Sequence, residues 1–222
     1  MDTEFWRERW QSGEIGFHLG ATNPNLLRFW PEMDARLPAQ VLVPLCGKSL
    51  DMHWFRQQGY GVLGVELSTL AVQAFFAEAG LQPSRSKLGK FECWQANNIR
   101  ILCGDFFDLT VDDIAGCNLI YDRAAMIALP QEMRAHYVAH LQRLFPGPTR
   151  SMLVVLNYPQ HEMPGPPFSV GDAEIADLYS GAEIRLLHET DILSQEPRFR
   201  NKGASSLFER VYILSWTGKG SD

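Results

Sequence analysis

"VLVPLCGKSLDMHWFRQQGYGVLGVELS", residues 41–68, runs from a short apolar stretch through a turn and a segment with helix-spaced apolar residues to a second apolar stretch ending on an acid. Strand, helix and strand in that order form a unit that holds nucleotide-like ligands beyond the carboxyl ends of its strands. The turn decides what kind. A P-loop needs a glycine five positions before Gly47, where Leu42 stands inside the strand. A dinucleotide turn needs GxGxxG so that backbone can approach a pyrophosphate, but Pro44, Leu45 and Cys46 fill the approach to Gly47.

The same alternation continues along the chain. "AQVLVPL", "YGVLGVEL", "IRILCGDF", "CNLIYDRA" and "SMLVVLNY" are short and apolar, as buried parallel strands are, and "EIRLLHETDI" and "LFERVYILSW" add a later pair. "SLDMHWFRQQG", "STLAVQAFFAEAG" and "LPQEMRAHYVAHLQRLF" carry helical periodicity between them, two of them closing on glycine. This predicts an α/β fold, a doubly wound and mostly parallel sheet with helices on both faces. At 222 residues, 45% hydrophobic and 21% charged, the chain is expected to form a single domain over 1–222. "DTEFWRERWQSGE" and "NPNLLRFWPEM" predict an N-terminal helical cover over about residues 1–35, with Asn23 as cap, Pro24 at the first helical position and Pro31 as breaker.

A net charge of −6 with scattered Lys and Arg argues against a nucleic-acid partner or an anionic membrane surface. The charged start "MDTEFWRERW" is unlike a signal peptide, and no apolar run nears the ~18 residues that span a bilayer, so a cytoplasmic protein is expected. Cys46, Cys93, Cys103 and Cys117 lack metal or disulfide spacing and read as buried free thiols; no metal is expected.

The strand ends suggest the ligand. The turn at Gly47 suits an uncharged or zwitterionic group, such as the amino-acid end of S-adenosylmethionine. Glu66 follows nineteen residues later, where an acid accepts hydrogen bonds from both ribose hydroxyls, although a terminal Glu is as often merely solvated. In "CGDFFDL", Asp105 suits the adenine amino group and Phe106 the ring; Asp105 equally suits a cap on the turn that follows.

Together "FWRERWQSGEIGFH", "VLVPLCGKSLDMHWF", "GVELS", "CGDFFDL", "YDRAAMIALP" and "LFERVYILSW" resemble the thiopurine S-methyltransferase family, its bacterial members especially, over about residues 4–216. The resemblance implies a class I S-adenosylmethionine-dependent methyltransferase (Rossmann-like) fold of seven strands with the last antiparallel. It implies methyl transfer to the sulfur of aromatic and heterocyclic thiols such as thiopurines, by a monomer acting on a small molecule. Bacterial relatives are also associated with selenium and tellurium methylation and tellurite resistance. Trp10, Leu45, Glu66 and Arg123 match the family's cofactor positions, and Asp105 with Phe106 the pair beside adenine. Phe17 matches an aromatic wall of the acceptor pocket and Arg198 an arginine near the acceptor, with Arg200 as the other register. Arg123 and Arg198 then carry the catalytic role.

The chemistry is consistent with this. The methyl on a sulfonium is already activated, so the protein has to align a sulfur nucleophile and favour its thiolate, for which two guanidinium groups and a flat apolar slot of Phe17, Trp10 and Phe168 suffice. The plainer readings are an ion pair of Arg123 with Asp122, core packing of the N-terminal aromatics, and a packed His18. "NYPQHEMPGPPFSVGD" is at least a surface loop and, as the sharper reading, a lid. Two other functions remain open at this point, a nucleotide-dependent oxidoreductase and a non-catalytic methyltransferase-like binding module.

Overall fold

Four of the expected apolar stretches become parallel strands, and the computed structural model, which describes residues 3–16 and 18–217, arranges the chain as two units, Met1–Tyr121 and Asp122–Asp222. In the first unit α1 (Thr3–Ser12) and α2 (Pro24–Phe29) precede β1 (Gln40–Val43), α3 (Asp51–Gln57), β2 (Gly61–Glu66) and α4 (Thr69–Glu78). Next come β3 (Ser84–Leu88), β4 (Phe91–Ala96), β5 (Ile99–Cys103) and β6 (Cys117–Arg123), the last two residues of β6 counting with the second unit. The strand order is β3-β4-β5-β2-β1-β6. β1 pairs in parallel with β2 and β6, and β2 with β5. Val41, Leu42, Val62, Leu63, Ile101 and Leu102 are inaccessible, which accounts for runs apolar on both faces.

Asn23 caps α2 as expected, accepting the N–H groups of Asn25 and Leu26 at 2.8 and 3.3 Å. Its own N–H donates to the buried Asp51 carboxylate at 2.7 Å, and the Tyr121 hydroxyl donates to the other Asp51 oxygen at 3.0 Å. One acid thereby ties α2, α3 and β6 together. Pro31 does not end the segment; a 3-10 turn over Trp30–Met33 continues it. Trp30 is buried edge-on against Phe55, Tyr60 and Tyr121, so the aromatics around this corner are core.

The second unit holds α5 (Ala125–Ala128), α6 (Gln131–Leu144), β7 (Pro148–Asn157), α7 (Asp172–Leu178), β8 (Glu183–Asp191), α8 (Pro197–Asn201) and β9 (Phe208–Thr217). Its strands run β7-β9-β8, and both pairings are antiparallel, so the last strand has the expected direction. Arg134 on α6 is fully buried. It donates to the Leu129 and Ser169 carbonyls at 3.0 Å and to both Glu174 oxygens at 2.8 and 2.7 Å.

Among the described residues the seven-strand expectation is corrected to nine. The added pair is the β3–β4 hairpin, which forms a meander with β5. β3, "SRSKL", is exposed along its whole length and therefore lacks the alternation that marks a half-buried strand. The signal lies in the loops instead. Gly89 (φ +55) opens the two-residue loop to β4, and Asn97 and Asn98 (φ +48 and +64) form the two-residue loop to β5.

At the end of β6 the buried Asp122 carboxylate accepts the Tyr137 hydroxyl at 2.7 Å and the Met126 N–H at 3.2 Å, capping α5. Burial pushes its carboxyl up to about 6, against the lowering effect of Tyr137 and the Met126 and Ala125 amides. A carboxyl with a raised folded pKa binds protons more tightly folded than unfolded, so its contribution to stability falls as pH rises from about 4 to 6 and is level above that. The wild type should lose on the order of 2–3 kcal/mol relative to Asp122→Asn over that interval. Urea denaturation of both proteins at pH 4.5 and 7 measures this; a pH-independent difference would refute it.

Candidate functional site

The turn after β1 has an unusual backbone. Leu45 (φ +47) and Gly47 (φ +52) both adopt the left-handed region. For leucine this costs roughly 1–2 kcal/mol. What holds the turn is the neighbouring strand. The Cys46 N–H donates to the Val65 carbonyl at 2.9 Å, and the Gly47 N–H donates to Glu66 Oε2 at 2.8 Å. The Ser68 N–H donates to Glu66 Oε1 at 2.8 Å, so one carboxylate joins the turns after β1 and β2. A Cβ at Gly64 would stand 2.8 Å from Cys46 Sγ, which is why the turn can settle onto β2. A Cβ at Gly47 would stand a tight 3.1 Å from the Trp10 ring of α1, so both φ and space favour glycine there. Trp10, Leu45 and Glu66, named from sequence, thus meet at one turn.

Glu66 is 7% exposed, and burial raises its carboxyl above the usual range, opposed by the backbone amides of Ser68, Gly47 and Leu67. Lys48 is engaged elsewhere: its Nζ lies 2.6 Å from Glu78 Oε1 on α4. The lysine of the GKS sequence is therefore not held as a phosphate-binding lysine.

The turn after β5 lies beside the end of β2, because Glu66 and Cys103 are register partners. The Gly104 N–H donates to the Glu66 carbonyl at 2.9 Å. Asp105 accepts the Phe107 N–H at 2.9 Å and caps a short 3-10 turn, Phe106–Asp108, so the capping role is real. Phe106 is buried at 5% exposure, packed edge-on to the more accessible Phe107.

In the second unit Arg123 is the last residue of β6, followed by Ala124 at φ +81. Asp122 is engaged by Tyr137 and Met126, and adjacent strand residues point to opposite faces, so Arg123 is not the group that satisfies Asp122. Arg198 sits on α8 with its side chain 62% exposed and Glu196 at 3.8 Å. Between Arg198 and Arg200, Phe199 packs into a cluster with Tyr158, Met163, Ala204 and Leu207. Phe17 lies outside the described residues.

The proline-rich segment is densely bonded. The Ser169 hydroxyl accepts the Tyr158 N–H at 2.9 Å, Gln160 accepts the Ser169 N–H at 2.8 Å, and the Tyr158 hydroxyl donates to the Pro167 carbonyl at 2.6 Å. The Phe168 N–H donates to the Ile127 carbonyl at 2.7 Å, and the Phe168 ring folds back over Gly165. Such a loop is a built wall, which argues against the lid reading. The cysteines are all free, but Cys103 and Cys117 are only partly buried, which corrects the expectation of four buried thiols. Among the described residues no group of His, Cys, Asp or Glu is arranged to hold a metal, and no helix is long and apolar enough to cross a membrane.

Residues 1–217 match the family model described as thiopurine S-methyltransferase. The chain is similar to the thiopurine S-methyltransferases of Nitrosospira multiformis and Pseudomonas fluorescens, each 49% identical over 215 residues. The alignments cover 96% of this chain and 98% and 99% of those relatives. Among solved structures it is similar to a Burkholderia thailandensis 1,6-didemethyltoxoflavin-N1-methyltransferase with bound S-adenosylhomocysteine (TM-score 0.64, 16% identity, covering 97% of this chain and 87% of that one). It is also similar to the Synechocystis magnesium protoporphyrin IX methyltransferase with bound S-adenosylmethionine (TM-score 0.62, 16% identity, 98% of each chain). At those identities the structural likeness establishes the fold, that of S-adenosylmethionine-dependent methyltransferases.

Glu66→Ala is expected to weaken S-adenosylhomocysteine binding at least about tenfold, or 1.4 kcal/mol, and to lower the melting temperature by stranding the Gly47 and Ser68 amides. Glu66→Gln retains one acceptor and turns its amide toward the other N–H. Because burial raises the Glu66 carboxyl and the ionised form is the better acceptor, wild-type affinity should fall on acidification starting above the ordinary carboxylate range. The Gln variant should lack that fall. Calorimetric titrations across pH give the answer, and parallel curves for the two proteins would remove Glu66 from the site.

Proposed function

Since the chain belongs to the thiopurine S-methyltransferase family, and so to the S-adenosylmethionine-dependent thiol methyltransferases, we propose that its acceptors are aromatic and heterocyclic thiols such as thiopurines. The observation that carries the cofactor half is the Glu66 carboxylate bridging two backbone turns, because those turns present a strained cradle, its lysine paired with Glu78, suited to a zwitterion and a diol. The residues fit the cofactor. Glu66 would accept the ribose hydroxyls, Asp105 the adenine amino group through Oδ2, and Trp10 with the Leu45–Gly47 backbone would hold the amino-acid end. Phe106 and Arg123 complete the cofactor assignment. When bound, S-adenosylmethionine supplies a methyl group already activated by its positive sulfur.

The protein's part in the chemistry is then positional and electrostatic. A thiolate sulfur forms the new bond to the methyl carbon while the bond from that carbon to the sulfonium breaks, its electron pair staying on the departing sulfur. No protein nucleophile is consumed, and the proton of a neutral thiol is lost to solvent before attack. Arg123 and Arg198 are assigned to the acceptor's negative charge, and Phe17 to the aromatic wall. A cation within about 4–6 Å of an acid lowers its pKa by 1–3 units, enough to keep a heterocyclic thiol ionised near neutrality. Selenium and tellurium nucleophiles are larger and softer, and the same in-line displacement extends to them. This supports a role in handling such species, tested by methyl transfer to selenite- and tellurite-derived anions with labelled cofactor.

For an acceptor titrating near neutral pH, Arg198→Ala should move the acidic limb of kcat upward toward the free thiol's pKa and leave S-adenosylhomocysteine affinity within about twofold. Arg123→Lys keeps charge without the planar fork and should lose less activity than Arg123→Ala. A bound-acceptor ultraviolet titration that is the same in wild type and Arg198→Ala would exclude the electrostatic role.

A further inference from the structure

The β3–β4 hairpin, outside the seven-strand plan, ends against the turn assigned to adenine. Leu88 and Phe91 pair at its loop, and Glu92 opposes Cys103, which brings the loop to the carboxyl end of β5. There Phe91, 1% exposed, lies so close that a Cβ at Gly104 would stand 2.6 Å from its Cδ1 and 3.0 Å from its Cε1. Lys90, in the loop, forms an ion pair with Asp108 at the far end of the same turn. Gly104 and Asp108 bracket Asp105, so the hairpin touches the turn on both sides of the acid. Farther along β4, Trp94 stacks with Phe76 and covers the core, an ordinary edge-strand duty. Phe91 is different: its ring occupies the space a side chain at residue 104 would take, in the turn that carries Asp105.

We infer that the tip of the β3–β4 hairpin is a positioning device for cofactor recognition, with Phe91 and Gly104 as positioning residues and Lys90–Asp108 as a minor tie. This rests on the reading of Asp105 as the partner of the adenine amino group. Phe91 seats Gly104, Gly104 is fastened to the Glu66 carbonyl, and the Asp105 carboxylate is thereby fixed relative to the end of β2. Any substitution that lifts Gly104 from Phe91 moves the acid without touching the ligand.

The test compares S-adenosylhomocysteine with S-inosylhomocysteine, in which a ring carbonyl replaces the adenine amino group. Wild type should prefer the first. Phe91→Leu should weaken S-adenosylhomocysteine binding about three- to tenfold and S-inosylhomocysteine less than about twofold, narrowing the preference, while KM for S-adenosylmethionine rises far more than kcat falls. Gly104→Ala should narrow it likewise, and the double variant, in which leucine leaves room for the new methyl, should recover part of the preference. Asp105→Ala is the control. If it abolishes the preference while folded Phe91→Leu and Gly104→Ala proteins keep it in full, the hairpin inference is overturned and the adenine reading stands. If Asp105→Ala keeps the preference, both readings fall together.

Discussion

A buried carboxylate that fastens two backbone turns is the constraint on which the first unit depends. Glu66 ends β2 almost without solvent, and an ionised acid in that position has to be met by donors. The Gly47 and Ser68 amides meet it, one from each neighbouring turn. The benefit is mutual. A turn with two left-handed residues, one of them leucine, would not hold its shape unaided, and a charge at the end of a buried strand would not stay charged unaided. Each offsets part of the other's penalty, and the product is a fastened edge with acceptor capacity remaining on the carboxylate oxygens.

Several sequence choices nearby follow from that arrangement. Gly64 is open because Cys46 Sγ lies over it, and Gly47 is open because the Trp10 ring does. Ser68 closes the second turn by capping α4, accepting the Ala71 N–H at 3.3 Å. Lys48 is drawn off to Glu78, leaving the turn without a cation. A phosphate would find its backbone amides already committed and its lysine absent, whereas a zwitterion and a diol ask for no net positive charge.

The legible parts of the sequence were those whose physics is local or periodic. The runs around Leu42, Leu63 and Ile101 announce buried strands because both faces must be apolar. Asn23 and Pro24 announce a helix start because a cap and a fixed φ are properties of two adjacent residues. Glu66 follows from fold class plus strand ends, whereas Trp10 on α1 and Leu45 come only from the family resemblance and meet it at one turn. What could not be read was set by contacts distant in sequence. β3 has no buried face and so no period. The Asp51 bridge between Asn23 and Tyr121 joins residues 28 and 70 positions away. The proline-rich segment reads as a loop because prolines exclude regular structure, but prolines do not reveal that Gln160, Ser169 and Tyr158 bind the loop to itself.

The arginines of the second unit illustrate why exposure, more than residue type, separates a structural charge from a usable one. Arg134 is inaccessible, and four hydrogen bonds to two carbonyls and one carboxylate account for its position. Removing a partner from such a buried set costs about 3–5 kcal/mol, so it cannot turn toward a ligand. Arg210 is similarly held between Asp172 and Glu189. Arg198 is mostly in water, and its contact with Glu196 at 3.8 Å is of the kind worth about 0–1 kcal/mol. Phe199, beside it on α8, is packed against Tyr158 and Leu207 and anchors the backbone that carries Arg198. An arginine that is 62% exposed on an anchored helix is open to the proposed acceptor role, whereas giving that role to Arg134 would first require breaking a buried set of four hydrogen bonds.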